Sequence, residues 1–554
     1  METESVQLPI GQPLTEAYIK RSDVRLDSIF GSHPEAEGDW KRRLQWLREQ
    51  ADSRVSPDKL ARTLKEYNKR FNWSPAVAQS IEALAGGAPV IVGGQQAGLW
   101  TGPLLVIHKA VSIIRAAEEA SRKHGETVVP VFWIAGEDHD WDEVNHALLL
   151  ARDYGMDRIA IDRPEGARRS VSQTVLTQEC MAAAIAQLSA ALEDTAFKPE
   201  LLERLTLYAK QSQSLSDWFA HIMGWLFGAQ GLVLLDADDP DLRRLEAPMF
   251  KALIQHNDKL EDAYLRGAQA VQECGYSQQA EVVPGGANLF IYRGAQDGID
   301  RNDAEGERTL LFKRDGRFEN RRGTVSWTKD ELLAIAESAP ERLSNNVLTR
   351  PLMQDYVLPV LATVLGPGEI AYWALTAEAF RALHMQMPIV VPRMSFTFVE
   401  GTVAKHMMKY GLTFEDVACR FSAIREAWLL KQDEFHIESR FAEAKEKFAD
   451  LYEPLLEMVS SVQAGLSDLG QRNKAKILEQ IAFLESHTKE AHAIRFNAGL
   501  RQLDRIALSL WPEGKPQERT VNAAVYWNRY GRAWLQRLLE APFDIRGGHR
   551  LIYL

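Results

Sequence analysis

The sequence predicts an α/β protein whose core is a doubly wound parallel sheet, interrupted by two connecting insertions and followed by an α-helical coiled coil. Three observations carry this expectation. The runs PVIVGG, VVPVFWIAG and GLVLLDAD are short, apolar and rich in β-branched residues, and helical periodicity follows each within a few residues. Alternation of that kind marks βαβ units, which build a parallel sheet covered by helices. The alternation lapses twice and then resumes, and from Phe441 the apolar period changes to seven.

In chain order, residues 1–85 read as a helical lead-in, with Ser56-Pro57 as a helix start. Residues 86–150 hold the first part of the core, 151–210 the first insertion and 211–275 the second part of the core. Residues 276–330 form the second insertion, where NLFIYRG, RTLLFKRDG and GTVSWT read as short strands between Gly- and Asp-rich turns. Residues 331–420 complete the core with VLPVLATVLG, a helix over EIAYWALTAEAFRALH and the strand PIVVPRM.

Residues 421–512 are expected to form an antiparallel helical coiled coil. Phe441, Phe448, Leu455, Val462 and Leu469 recur every seven residues, with Ala444, Leu451, Met458 and Gly465 three places later. Gly470, Arg472 and Asn473 mark the expected turn, and Pro454, which costs about 3 kcal/mol inside a helix, predicts a kink or a split. Residues 513–554 read as a C-terminal helix returning to the core. The long seam invites pairing with a second copy, so a homodimer is expected.

The balance of 45% hydrophobic and 25% charged residues is that of a globular protein with a large core. A formal charge of −11 disfavours a nucleic-acid partner, which needs a basic face. No apolar run approaches the ~18 residues of a membrane span, and the N-terminal stretch carries no secretory pattern, so a cytoplasmic location without membrane attachment is expected. Cys180, Cys274 and Cys419 lie too far apart for a zinc motif and are odd in number, which fits a reducing compartment.

Four segments gather chemistry at the expected ends of strands, where ligands of open α/β sheets bind. GGQQAGLWTGPLLVIHK follows the first core strand. Gly98 permits a tight turn, Gly102 is the expected N-cap before Pro103, and the helix N-terminus with Thr101 and Lys109 would hold phosphate or carboxylate. Gln95 and Gln96 supply neutral donors and acceptors. The Gly-Lys-Ser/Thr ending of a P-loop is missing, and a structural loop explains the same glycines.

EDHDWDEVNH crowds Glu137, Asp138, His139, Asp140, Asn145 and His146 behind the second core strand. His139 suits phosphate binding or acid/base work near neutral pH, and the carboxylates suit an amine or Mg²⁺. A zinc site from His139, His146 and a carboxylate is a weaker alternative, and an acidic helix start explains the same charges. In LGPGEIAYW, Glu369 would bind an amino group or cap its helix, while Tyr372 serves as ligand platform or core. In PRMSFTF, Arg393 and Ser395 alternate with apolar residues, as phosphate ligands or as part of an ordinary edge strand.

These four segments, in this order and with these separations, resemble the cysteine ligase family of bacillithiol biosynthesis, over nearly the whole chain. The resemblance implies a Rossmann-like doubly wound core with two connecting insertions, similar in layout to class I aminoacyl-tRNA synthetases, plus a coiled-coil domain used for dimerisation. It implies the substrates cysteine and glucosaminyl malate, joined through an amide bond. Amide synthesis in water needs an activated carboxyl, so ATP with Mg²⁺ is expected, giving AMP or ADP. The His-x-Gly-His and Lys-Met-Ser-Lys-Ser signatures of class I synthetases are missing, and Lys109, Arg393 and Ser395 are their positional stand-ins. The alternatives are a nucleotide-binding coiled-coil scaffold of the same pathway and, below it, a metal-dependent amidase.

Overall fold

The computed structural model describes residues 3–151, 155–166, 168–294 and 306–554. Residues 152–154, 167 and 295–305, inside the two expected insertions, lie outside the described residues. Contacts divide the chain into two compact units: Met1–Phe398 with Pro516–Leu554, and Val399–Lys515.

The described strands are β1 (Thr3–Val6), β2 (Val90–Gln95), β3 (Val129–Ile134), β4 (His146–Leu150), β5 (Met156–Ala160), β6 (Val233–Asp236), β7 (Gly286–Tyr292) and β8 (Arg308–Arg314). They continue with β9 (Arg317–Glu319), β10 (Ser326–Trp327), β11 (Leu343–Asn345), β12 (Val360–Leu365), β13 (Ile389–Pro392), β14 (Ser395–Val399) and β15 (His549–Tyr553).

The central sheet has the order β13-β12-β2-β3-β6, with every pairing parallel. Its strands are largely apolar because helices cover both faces, with Gln95 and Asp236 at strand ends and Thr363 inside β12 as exceptions. Alternate residues divide between the two layers. Ile91, Phe132, Ile134 and Leu234 enter one core, and Val90, Val92, Val131, Trp133, Val233 and Leu235 the other. The helix Leu105–His124 connects β2 to β3 and ends on Gly125 in the left-handed region. A Cβ on Gly93 would lie 2.9 Å from the Val364 carbonyl oxygen, so glycine lets β2 and β12 approach there.

The chain runs outward from β2 through β3 to β6, then returns to the other side of β2 for β12 and β13. The direction of winding therefore reverses between β2 and β12, the kind of switch point where open α/β sheets bind ligands. A second, antiparallel sheet, β10-β9-β8-β7-β11, contributes one wall above these strand ends. It extends past residue 330 to β11, because Leu343–Asn345 pairs with Leu289–Ile291.

In the second unit the helices Ile437–Val462 and Gly465–Arg495 run antiparallel. Lys445 pairs with Glu485 at 2.5 Å and Lys474 with Glu453 at 2.7 Å. The turn falls at residues 463–464 and not at Gly470–Asn473. Gly470 lies inside the second helix, where a Cβ would sit 2.5 Å from Leu456 Cδ2. Its smallness serves helix contact and not a turn. The first helix continues through Pro454 without the predicted split. Much of the seven-residue seam is uncovered: Leu451 is 73% and Val462 74% exposed. No helix among the described residues is long and apolar enough to cross a membrane.

Candidate active site

A cavity of about 770 Å³ opens at the C-terminal ends of β2, β3 and β12, at the switch point. All of its lining belongs to the first unit. Its floor is an ion pair. The Lys109 ammonium is buried and spends its three hydrogens on Gly94 O at 2.7 Å, Gln95 Oε1 at 2.9 Å and Glu369 Oε2 at 2.5 Å. The same Glu369 oxygen accepts the Gly366 N–H at 2.7 Å and so caps its own helix. Burial pushes the Lys109 ammonium down, against the opposing pull of Glu369. Burial also works against the Glu369 carboxylate, but Lys109 and Arg350 outweigh it and hold the group below its ordinary range.

One side is acidic. Gln96 Nε2 donates to Asp138 Oδ2 and to Glu143 Oε2, each at 2.7 Å, tying β2 to the loop after β3. Burial raises the Glu143 carboxyl. Burial also acts to raise Asp138, but Gln96, Arg308 and the N–H groups of His139 and Asp140 together hold it low. Glu137 is buried and held from behind, its Oε2 accepting Arg243 Nη2 at 2.5 Å and the Asn345 N–H at 3.3 Å. Arg243 also binds Glu246 at 2.7 Å and Asp238 at 3.4 Å. Asp238 accepts further bonds from Ser170, Ser172 and Tyr292. Three carboxylates thus surround one buried guanidinium.

Three basic groups share the lining. Arg308 projects from β8, Arg350 from the helix Arg350–Val357 and Arg519 from the segment Gln517–Thr520. Arg350 Nη2 donates to Tyr372 Oη at 2.5 Å, and Arg308 donates to Ser344 Oγ and Asn345 O. Among the described residues, none of the three guanidinium groups is paired with a carboxylate. Positive charge is therefore available for an anion, and among the described residues no Lys or Arg lies at salt-bridge distance from Asp138 or Glu143, while His139 Nδ1 lies 3.7 Å from Asp138 Oδ1.

Comparison with known proteins places this architecture. A family model described as the bacillithiol biosynthesis BshC N-terminal Rossmann-like domain matches residues 1–394, and one described as the BshC C-terminal coiled-coil domain matches residues 396–554. The chain belongs to the BshC family. Proteins named "Putative cysteine ligase BshC" from Geobacillus sp. (strain WCH70) and Bacillus cytotoxicus are 36% and 35% identical over the full length of both chains. One of the same name from Bacillus cereus (strain G9842) is 36% identical over 94% of each chain. Residues 516–554 fall under the coiled-coil match, yet they pack into the first compact unit and bring Arg519 to the cavity.

Of the residues singled out in the BshC-type sequence, Gln95, Gln96, Lys109, Glu137, Asp138, His139, Glu369, Tyr372 and Arg393 line the cavity. Gly98, Thr101 and Gly102 do not. They form a buried turn in which Thr101 N–H binds Gly98 O and Gly102 N–H binds Leu99 O, so those donors are spent. Asn522 Nδ2 gathers the carbonyls of Leu99, Trp100 and Gly102. Gly102 has φ +67° and is not an N-cap: the helix starts at Leu105, with Leu104 before it.

Arg393 lines the cavity but is already committed. Its Nη1 and Nη2 donate to the two oxygens of Glu518, each at 2.7 Å, so a role as phosphate ligand is replaced by one in fixing the wall. Ser395 lies behind it and donates to Glu518 at 3.3 Å. Asp140 precedes the one-turn helix Trp141–Val144 and is exposed, and Asn145 holds Ile161 O. His146 opens β4 beside Asn145, so the zinc arrangement of His139 with His146 is not assembled in the cavity. Arg243, Glu246, Arg308, Arg350, Arg519 and Glu518 escaped sequence reasoning. Asp236 and Asp238, at the end of GLVLLDADD, satisfy the same strand-end rule and could have been found by it.

Proposed function

We propose that this protein joins L-cysteine to the amine of glucosaminyl malate, with ATP activating the cysteine carboxyl. The observation that carries the reading is that one cavity is lined both by the guanidinium groups of Arg308, Arg350 and Arg519 and by the carboxylates of Asp138 and Glu143. Both substrates bear an ammonium group and at least one carboxylate, and ATP adds phosphates, so both kinds of lining group would be used. Family membership and the names of the relatives support the ligase class.

In the adenylate route a carboxylate oxygen of cysteine attacks the α-phosphorus of ATP and pyrophosphate leaves. The glucosamine nitrogen, after losing a proton, then attacks the carbonyl carbon, and as AMP leaves the nitrogen gives up a second proton to solvent, so that the amide forms. Glu143, raised by burial, is suited to take the ammonium proton, beside Asp138. The guanidinium groups of Arg308, Arg350 and Arg519 would stabilise charge on the transferred oxygens in place of water. Mg²⁺ enters with the nucleotide phosphates.

Cysteine-dependent exchange of labelled pyrophosphate into ATP tests the adenylate. Exchange supports it, whereas ligation with release of ADP would replace it by an acyl phosphate. The exposed Leu451, Leu455, Met458 and Val462 on the helical hairpin support a homodimer as the working form.

A further inference from the structure

We infer that His139 serves as a neutral hydrogen-bond donor, locked in the tautomer that carries its proton on Nε2, and not as a general base. The geometry around its other nitrogen carries this. Arg308 Nη1 lies 3.1 Å from His139 Nδ1. A guanidinium has only hydrogens to offer and stays protonated at any working pH, so Nδ1 must present a lone pair. A neutral ring with a bare Nδ1 holds its hydrogen on Nε2.

Arg308 cannot easily turn away. Its Nε donates to Ser344 Oγ at 2.9 Å and its Nη2 to Asn345 O at 2.6 Å, and its guanidinium carbon lies 3.8 Å from the centroid of the Phe290 ring. The same ring packs against the imidazole, with centroids 5.8 Å apart. The backbone of the His139 loop is fixed as well, because Asp138 Oδ1 accepts the N–H of His139 at 2.7 Å and that of Asp140 at 3.2 Å. Burial lowers the imidazole pKa and Arg308 adds to it, with Arg163 on the same side, while Asp138 and Asp140 oppose them. The ring therefore stays neutral below the pH at which a free histidine charges.

His139 lines the cavity, with Arg308 Nη1 3.1 Å and Asp138 Oδ1 3.7 Å from its Nδ1. There its Nε2–H is placed to donate to a substrate oxygen as negative charge grows on it, and no proton changes hands. This last step rests on the proposed ligase function. The tautomer does not.

Histidine-selective ¹⁵N labelling of the full chain, with long-range ¹H–¹⁵N spectra, reads the tautomer directly. The His139 signal among the 13 histidines is identified by its loss in His139→Gln. A bare Nδ1 and a protonated Nε2 are expected at pH 8, with the ring charging only at a lower pH than a free histidine; a bare Nε2 at pH 8, or charging at or above the pH of a free histidine, overturns the inference. Kinetics separate the roles. Glutamine keeps a donor close to Nε2 but cannot act as a base, so His139→Gln should retain turnover within roughly tenfold while His139→Ala loses roughly 100-fold or more, the usual cost of one such donor. Equal loss in both variants would contradict the donor role. The expected tautomer in a protein that makes no amide product would instead contradict the ligase reading alone.

Discussion

Arg393 and Glu518 meet through two nitrogens and two oxygens, each pair 2.7 Å apart, so the guanidinium at the cavity wall is anchored from behind by the C-terminal segment. His108 Nδ1 lies 2.7 Å from the same carboxylate, inside a fully buried environment. Burial works to raise the Glu518 carboxyl, but Arg393 and His108 prevail and hold it well below the carboxylate range. Removing one partner of a buried pair leaves an uncompensated charge and costs about 3–5 kcal/mol. Glu518→Ala should therefore lose about that much in equilibrium denaturation. A loss below about 1 kcal/mol would mean that Arg393 is free to serve as a ligand.

The cluster behind Glu137 has the opposite sign. Burial pushes the Glu246 carboxyl up to about 7, despite Arg243 beside it. The unfolded chain releases this proton near pH 4.3. Between about pH 4.3 and pH 7 the folded protein binds the extra proton, so stability from this group is greatest at low pH and falls as pH rises. Glu246→Gln, which keeps an acceptor for Arg243 without the charge, should gain melting temperature relative to the wild type from pH 5 to pH 8. Parallel melting curves for the two proteins across that range would contradict it.

Arg350 is buried against Tyr372, with no carboxylate at salt-bridge distance among the described residues, although it acts on Glu369 from farther away. A hydrogen bond from a charged group contributes about 1.5–3 kcal/mol. Arg350→Gln should therefore raise KM for a carboxylate-bearing substrate by roughly 10- to 100-fold, with the fold checked by circular dichroism. Unchanged KM for cysteine, glucosaminyl malate and ATP would remove Arg350 from substrate binding.

The hairpin makes its own test. Leu451 and Val462 are 73% and 74% exposed, on a helix whose partner does not cover them. Leu451→Glu with Val462→Glu should convert a dimer into monomers in sedimentation without lowering the main thermal transition. A monomeric wild type at micromolar concentration would remove the dimer.

The central sheet was legible because its strands are buried on both faces and so read as unbroken apolar runs. The site was legible where a short segment carries its chemistry past a strand end, as in Gln95 and Gln96, Glu137–His139 and Glu369. Arg308 and Arg350 were hidden because each comes from a segment with no motif and meets the core strands only through the tertiary fold. The Gly98–Gly102 turn was misread because glycines look alike whether their N–H groups face a ligand or, as here, bind neighbouring carbonyls. Gly470 was misread for a related reason: smallness at a helix crossing and freedom at a turn leave the same letter.

The most direct test combines the purified protein with ATP, Mg²⁺, cysteine and glucosaminyl malate, and follows bacillithiol and nucleotide products by mass spectrometry, beside Arg350→Gln. The account predicts bacillithiol with AMP from the wild type and strongly reduced product from the variant at limiting substrate. Folded protein that binds all three substrates and forms no bacillithiol would contradict it.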